Sequence, residues 1–148
     1  MRPLHQSLPL KLLMAREAVM ERFRPHLLAA GVTEQQWRVL RALCEREEVE
    51  AGELADAICL KLPSLSRIMA DLSRDRLINR RNGVNDKRLR LVSITPKGRA
   101  VVEKMARHSE KEYAQIQEAV GAKAYAALMD DLEAAITKLN SLNQDARD

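Results

Sequence analysis

Aromatic side chains are scarce in this chain: one Trp, two Tyr and one Phe among 148 residues. That scarcity removes the stacking platforms on which RNA and single-strand binders hold unpaired bases. Two cysteines, Cys44 and Cys59, and three histidines, His5, His26 and His108, are isolated from one another by spacing, so neither a metal site nor a cofactor is expected. Both cysteines lie among aliphatic residues at helical intervals, which predicts buried, reduced thiols. Five glycines form no phosphate-cradling loop, and no nucleophile stands beside a base; an enzyme is not expected. No apolar run approaches membrane-spanning length, and Pro9 and Lys11 interrupt the N-terminal leucines without a small-residue cleavage site after them. The expected location is the cytoplasm.

What the chain does have is basic charge in one place. Residues 61–99 carry eleven Lys or Arg against three Asp or Glu, net +8, in a protein whose formal charge is +4. The remaining residues hold 14 bases and 18 acids, net −4. A concentrated basic stretch is the electrostatic footprint of a phosphate-binding surface, and the lack of aromatics turns that reading toward duplex DNA. With 46% hydrophobic residues, the chain can bury one core of ordinary size.

Residues 8–30 read as an amphipathic helix with Leu12, Val19, Phe23 and Leu27 on one stripe, ended by Gly31. Thr33-Glu34-Gln35-Gln36 is a capping-box pattern opening a second helix that buries Trp37, Leu40, Leu43 and Cys44. After an acidic turn from Glu45 to Glu50 comes a short helix near residues 51–58, then one starting at Leu62-Pro63-Ser64. The apolar side of the latter is Leu65, Ile68, Met69 and Leu72. Two β-prone runs, Leu77 to Arg81 and Leu89 to Ile94, flank a Gly- and Asn-bearing turn and predict a hairpin with a basic tip. Thr95-Pro96 opens a long helix to about Val120, and Gly121 breaks it. The last helix carries a seam of Tyr125, Leu128, Leu132, Ala135, Leu139 and Leu142.

The expected fold is mainly α with a small β-wing: a winged helix-turn-helix over about 33–95, flanked by dimerisation helices at about 8–30 and 96–143 of a single 1–148 domain. A homodimer is expected, since a two-fold protein matches a palindromic site with half-sites about 34–36 Å apart or a multiple of that. Pro63, Ser64, Ser66 and Arg67 occupy the start of the reading helix, where Arg67 suits bidentate contact with guanine and the serines suit phosphates. Arg74 lies on the same helix, outside its apolar stripe. Lys87, Arg88 and Arg90 sit at the wing tip, with arginine suited to the minor groove, and Asp86 is read as holding one of these arginines in position. Arg80 and Arg81 at the wing base suit phosphate contacts or strand-surface charge.

These residues carry a resemblance. Glu53-Leu54-Ala55, Pro63-Ser64-Leu65-Ser66-Arg67, Leu72, Leu77-Ile78, Asp86-Lys87-Arg88 and Thr95-Pro96-Lys97-Gly98 together resemble the MarR family of winged-helix repressors over nearly the whole chain. The resemblance implies an obligate dimer, repressing a nearby operon until a small ligand binds between the dimerisation and DNA-binding parts.

An effector site is read from Arg16, a charge that the helical projection sets among Leu12, Leu13, Val19, Met20 and Phe23, facing the core. A charge so placed needs a partner. Either an acid of its own chain or of the other subunit pairs with it, or its stem snorkels to water, or it anchors the carboxylate of an organic acid, with His26, Trp37 and Arg38 joining the pocket and Trp37 as its flat wall. Leu13-Met14-Ala15-Arg16-Glu17-Ala18, Phe23-Arg24-Pro25 and Thr33 to Arg38 also resemble regulators of aromatic catabolism within the family. That likeness implies an effector such as 3,4-dihydroxyphenylacetate (homoprotocatechuate) or a related hydroxyphenylacetate. Two other readings stand beside it: a cysteine-based redox regulator, and an architectural DNA-binding protein without an effector.

Overall fold

The computed structural model describes residues 3–83 and 88–145, in two compact units, Met1–Ser109 and Glu110–Asp148. In the first unit a short 3-10 turn, Leu4–Gln6, leads into α1, Leu8–Ala30. Ser7 caps α1 by accepting from the Leu10 amide, and Gly31 ends it at φ 70°, a left-handed conformation that glycine adopts freely. Then α2 (Glu34–Cys44) starts at the expected capping box: Thr33 Oγ1 accepts from the Gln36 amide at 3.1 Å, while Gln36 Oε1 accepts from the Thr33 amide at 2.9 Å. Helices α3 (Ala51–Ala57) and α4 (Leu62–Arg74) form the helix-turn-helix, and α5 (Pro96–Val120) begins after the wing.

The sheet differs from expectation by one strand. The acidic turn ends in β1, Val49–Glu50, which pairs antiparallel with β3, Arg90–Ile94; β3 also pairs with β2, Ile78–Asn82, so the order is β1-β3-β2. Val49 faces Val92 and Ile78 faces Ile94 across the register, and all four side chains are buried. The wing is thus a three-stranded sheet whose middle strand is bonded on both sides.

The core lies under the helix-turn-helix. Leu40, Leu43, Leu54, Leu65, Leu72 and Val92 are fully enclosed. Trp37 and Cys44 only edge this cluster, and α2 buries Val39 instead. Of the α1 stripe only Phe23 and Leu27 are buried; Leu12, Leu13 and Val19 lie exposed on the single chain. Val102 and Met105 of α5 reach the core below Thr95, whose hydroxyl accepts from the Gly98 amide at 3.0 Å as an N-cap. Gly98 is required there, because a Cβ would stand 2.2 Å from the Leu77 carbonyl oxygen.

In the second unit α5 ends before Gly121, at φ 89°, and α6 runs Ala122–Asp145. No described α6 residue is buried: Tyr125 and Leu132 are half-covered, while Leu128, Met129, Ile136, Leu139 and Leu142 are exposed.

Candidate nucleic-acid interface

The reading helix is seated by its apolar side. Leu65, Ile68, Met69 and Leu72 recur at helical spacing on α4 and all are buried, which turns Ser64, Ser66 and Arg67 outward. Lys61 is the N-cap and Pro63 takes the second helical position, where a missing amide hydrogen costs nothing. Beside this face a cleft of about 650 Å³ runs between α4 and the sheet, lined among others by Ser66, Ser73, Arg80, Arg81, Arg88 and Arg90. Such an arrangement gathers positive charge next to an exposed helix start, the geometry that cradles a nucleic-acid backbone.

The arginines differ in how they are held. Arg67, Arg80 and Arg90 are exposed and make no ion pair among the described residues. Arg88, also exposed, engages other groups. Arg74 is paired with Asp71 one turn earlier on α4. Arg81 is gripped by Glu48, its Nε 2.8 Å from Oε1 and its Nη2 2.5 Å from Oε2. Glu48 was invisible to pattern reading because it sits in the acidic turn, 33 residues from its partner. Asp86 and Lys87 lie outside the described residues.

The four residues expected at an effector site do not share partners. Arg16 is not turned into the core: its side chain is 47% exposed, and it is held by acids of its own chain. Nη1 donates to Glu17 Oε1 at 2.6 Å and Nη2 to Glu34 Oε2 at 2.5 Å. Arg24 completes the ring, its Nε donating to Glu34 Oε1 at 2.7 Å and its Nη2 to Glu17 Oε2. Hydrogen bonds from Arg24, with support from Arg16, hold both carboxyls below their ordinary value; Glu17 in turn raises Arg24. His26, half-buried, stacks on His108 of α5 with ring centres 5.0 Å apart. Trp37 packs against the core cluster. Arg38 reaches the helix-turn-helix, where Nη1 donates to the Ile58 carbonyl at 2.9 Å.

The thiols separate. Cys44 is half-buried, and desolvation pushes its thiol up from the ordinary value. Cys59 is exposed, contrary to expectation, because the α3–α4 turn takes a left-handed φ of 53° at this residue and swings it off the helical face.

An α4 seated on α2 and α3 and flanked by an arginine-lined sheet defines a winged-helix protein. A model of the MarR family matches residues 32–89. The homoprotocatechuate degradative operon repressor of Escherichia coli is 37% identical over 142 residues, 96% of either chain. Among solved structures, the transcriptional regulator PA4135 superposes with a TM-score of 0.85 at 40% identity, over 92% of this chain and 98% of that one. NadR in complex with 4-hydroxyphenylacetate gives 0.79 at 33% identity, over 93% and 97%. The chain belongs to the MarR family. Among the described residues, no helix is long and apolar enough to cross a membrane.

Proposed function

We propose that this protein is a cytoplasmic, non-enzymatic transcriptional repressor of an aromatic-acid catabolic operon, bound as a homodimer to a palindromic operator and released by a phenolic carboxylate. The observation that carries it is the exposed start of α4 beside the arginine-lined cleft. Arg67 reads guanine in the major groove, and Pro63, Ser64 and Ser66 set the helix start against the backbone. Arg88 and Lys87 enter the minor groove, with Asp86 orienting the wing; Arg74, Arg80 and Arg90 take phosphates. The exposed seam of α6 serves the dimer.

For the effector, Arg16 holds the carboxylate, Trp37 supplies a flat wall, and His26 and Arg38 complete the surroundings. The E. coli relative is named for homoprotocatechuate degradation and NadR was crystallised with 4-hydroxyphenylacetate; both names support a phenolic acid. The test is anisotropy of labelled DNA from upstream of the protein's own gene, titrated at fixed salt with and without 4-hydroxyphenylacetate or 3,4-dihydroxyphenylacetate. Release by either acid is expected. Equal affinity for random DNA at matched salt would leave an architectural binder.

A thiol-based regulator has one observation in its favour, the exposed Cys59 just ahead of the reading helix. Rapid alkylation of Cys59 that also releases DNA would establish it.

A further inference from the structure

The ring of Arg16, Glu17, Arg24 and Glu34 sets carboxylates on the guanidinium to which the effector reading above assigns the ligand's carboxylate. Arg16 and Arg24 stand eight residues apart on α1, about 12 Å along the axis, and both bend toward the same two acids. Each carboxylate oxygen takes one guanidinium nitrogen: Glu17 bridges the two arginines from α1 itself, and Glu34 does so from the first turn of α2. The ring's charges sum to zero. Glu34 is the member on a second element, so its bond to Arg16 ties α1 to the helix on which the core of the helix-turn-helix rests.

We propose that Glu34 is the internal occupant of the effector's place on Arg16: an incoming aromatic carboxylate takes over the Arg16 Nη2 contact, and Glu34 falls back on Arg24. This rests on the effector reading above. The exchange is between like groups, so the number of charge-assisted hydrogen bonds at Arg16 is kept. Glu34 does not become stranded, because Arg24 Nε still donates to it and the positive end of α2 favours an acid in its first turn. What is lost is the Arg16 tie between α1 and α2. A neutral ligand of the same shape gains nothing from the exchange, so Glu34 also selects for anions.

The experiment is calorimetric titration of the full-length protein with 4-hydroxyphenylacetate and with its neutral amide, 4-hydroxyphenylacetamide. Wild type, Glu34→Gln, Glu34→Asp and Arg16→Ala are compared. Removing the competing charge in Glu34→Gln is expected to tighten the acid about two- to fivefold, the reach of one exposed ion pair, and to leave the amide unchanged. Glu34→Asp, a shorter acid that retains its charge, is expected to move the same way by less. The capping box of Thr33 and Gln36 does not use the Glu34 carboxyl, so the start of α2 survives both changes.

The outcomes separate the two layers. Acid affinity that is equal or weaker in Glu34→Gln, or a gain shared by the amide, overturns the competition while the effector reading stands. Acid binding undiminished in Arg16→Ala removes the anchor, and the competition with it. Silence of wild type and Glu34→Gln toward the acid overturns both.

Discussion

Arg38 Nη1 donates to the carbonyl oxygen of Ile58 at 2.9 Å, joining the middle of α2 to the residue that ends α3 and opens the turn into the reading helix. Its Nε is buried without an acceptor among the described residues, so this one bond is the side chain's main polar link. Arg38→Ala is expected to cost about 1–3 kcal/mol in denaturant unfolding and to weaken operator binding through a looser turn. Loss of 4-hydroxyphenylacetate affinity in the same variant would support the proposed place of Arg38 beside the effector; unchanged affinity would confine it to the turn.

Arg67 and Arg88 are expected to separate base reading in the major groove from the wing's sequence-tolerant grip on the minor groove. Arg67→Ala should cost about 1–3 kcal/mol on the operator and less on random DNA, if it pairs with guanine. Arg88→Ala should weaken both, and lower the slope of log affinity against log salt by about one, since a cation in the minor groove displaces counterions whatever the sequence. Unchanged affinity of folded Arg88→Ala would remove the wing from the interface.

Gly98→Ala is expected to destabilise the fold by at least about 1–3 kcal/mol, since the added carbon would meet the Leu77 carbonyl oxygen at 2.2 Å and backbone must move. Thermal melts of the variant read this directly. Gly52→Ala is the control: its Cβ would find only the Glu50 side chain at 3.5 Å, and a much smaller change is expected.

The acid ring gives stability a pH dependence of defined sign. Glu17 and Glu34 have carboxyls held below their ordinary value in the folded protein, so their contribution is present above the unfolded carboxylate range and fades as pH falls through the folded values. Melting temperatures taken between about pH 6 and pH 3 should therefore fall less steeply for a Glu17→Gln, Glu34→Gln double variant than for wild type. Glu17 is 45% exposed and Glu34 24%, so solvent reaches the ring and molar salt should narrow the difference. A double variant with the wild-type slope would show that the ring contributes nothing.

Leu139→Glu is expected to dissociate the homodimer in sedimentation, because Leu139 lies on the uncovered apolar seam of α6. A dimer that survives both Leu139→Glu and Leu132→Glu would place the interface on another surface.

Much of the fold was legible because its signals are local. Thr33 and Gln36, Thr95 and Pro96, and Gly31 and Gly121 are caps and stops that act within a turn of themselves, and each sits where the sequence put it. The buried face of α4 was equally plain from its spacing. By contrast β1 is two residues long, too short for alternation to register, and exists through pairing with a strand forty residues onward. For Arg16 the sequence shows a charge that needs an acid or water, and the structure gives it both; which way it turns is not legible, because periodicity marks an apolar stripe without saying what covers it. That Glu34, Glu48 and Ile58 accept from arginines has no local signal for a common reason: each meets an arginine 18 to 33 residues away, and such meetings depend on the fold.

Among the described residues, two other than glycine adopt left-handed backbone, Cys59 at φ 53° just before α4 and Arg76 at φ 60° just after it. The thirteen-residue helix is therefore punctuated at both ends by conformations that a side chain resists, and its span of about 20 Å is set by these stops as well as by its packing. In evolutionary terms the stretch between them is a cartridge: its outward residues can be exchanged without disturbing the buried face, while insertions or deletions inside it break the frame. On the proposed reading of α4, specificity can drift at this position without the scaffold having to be rebuilt around it.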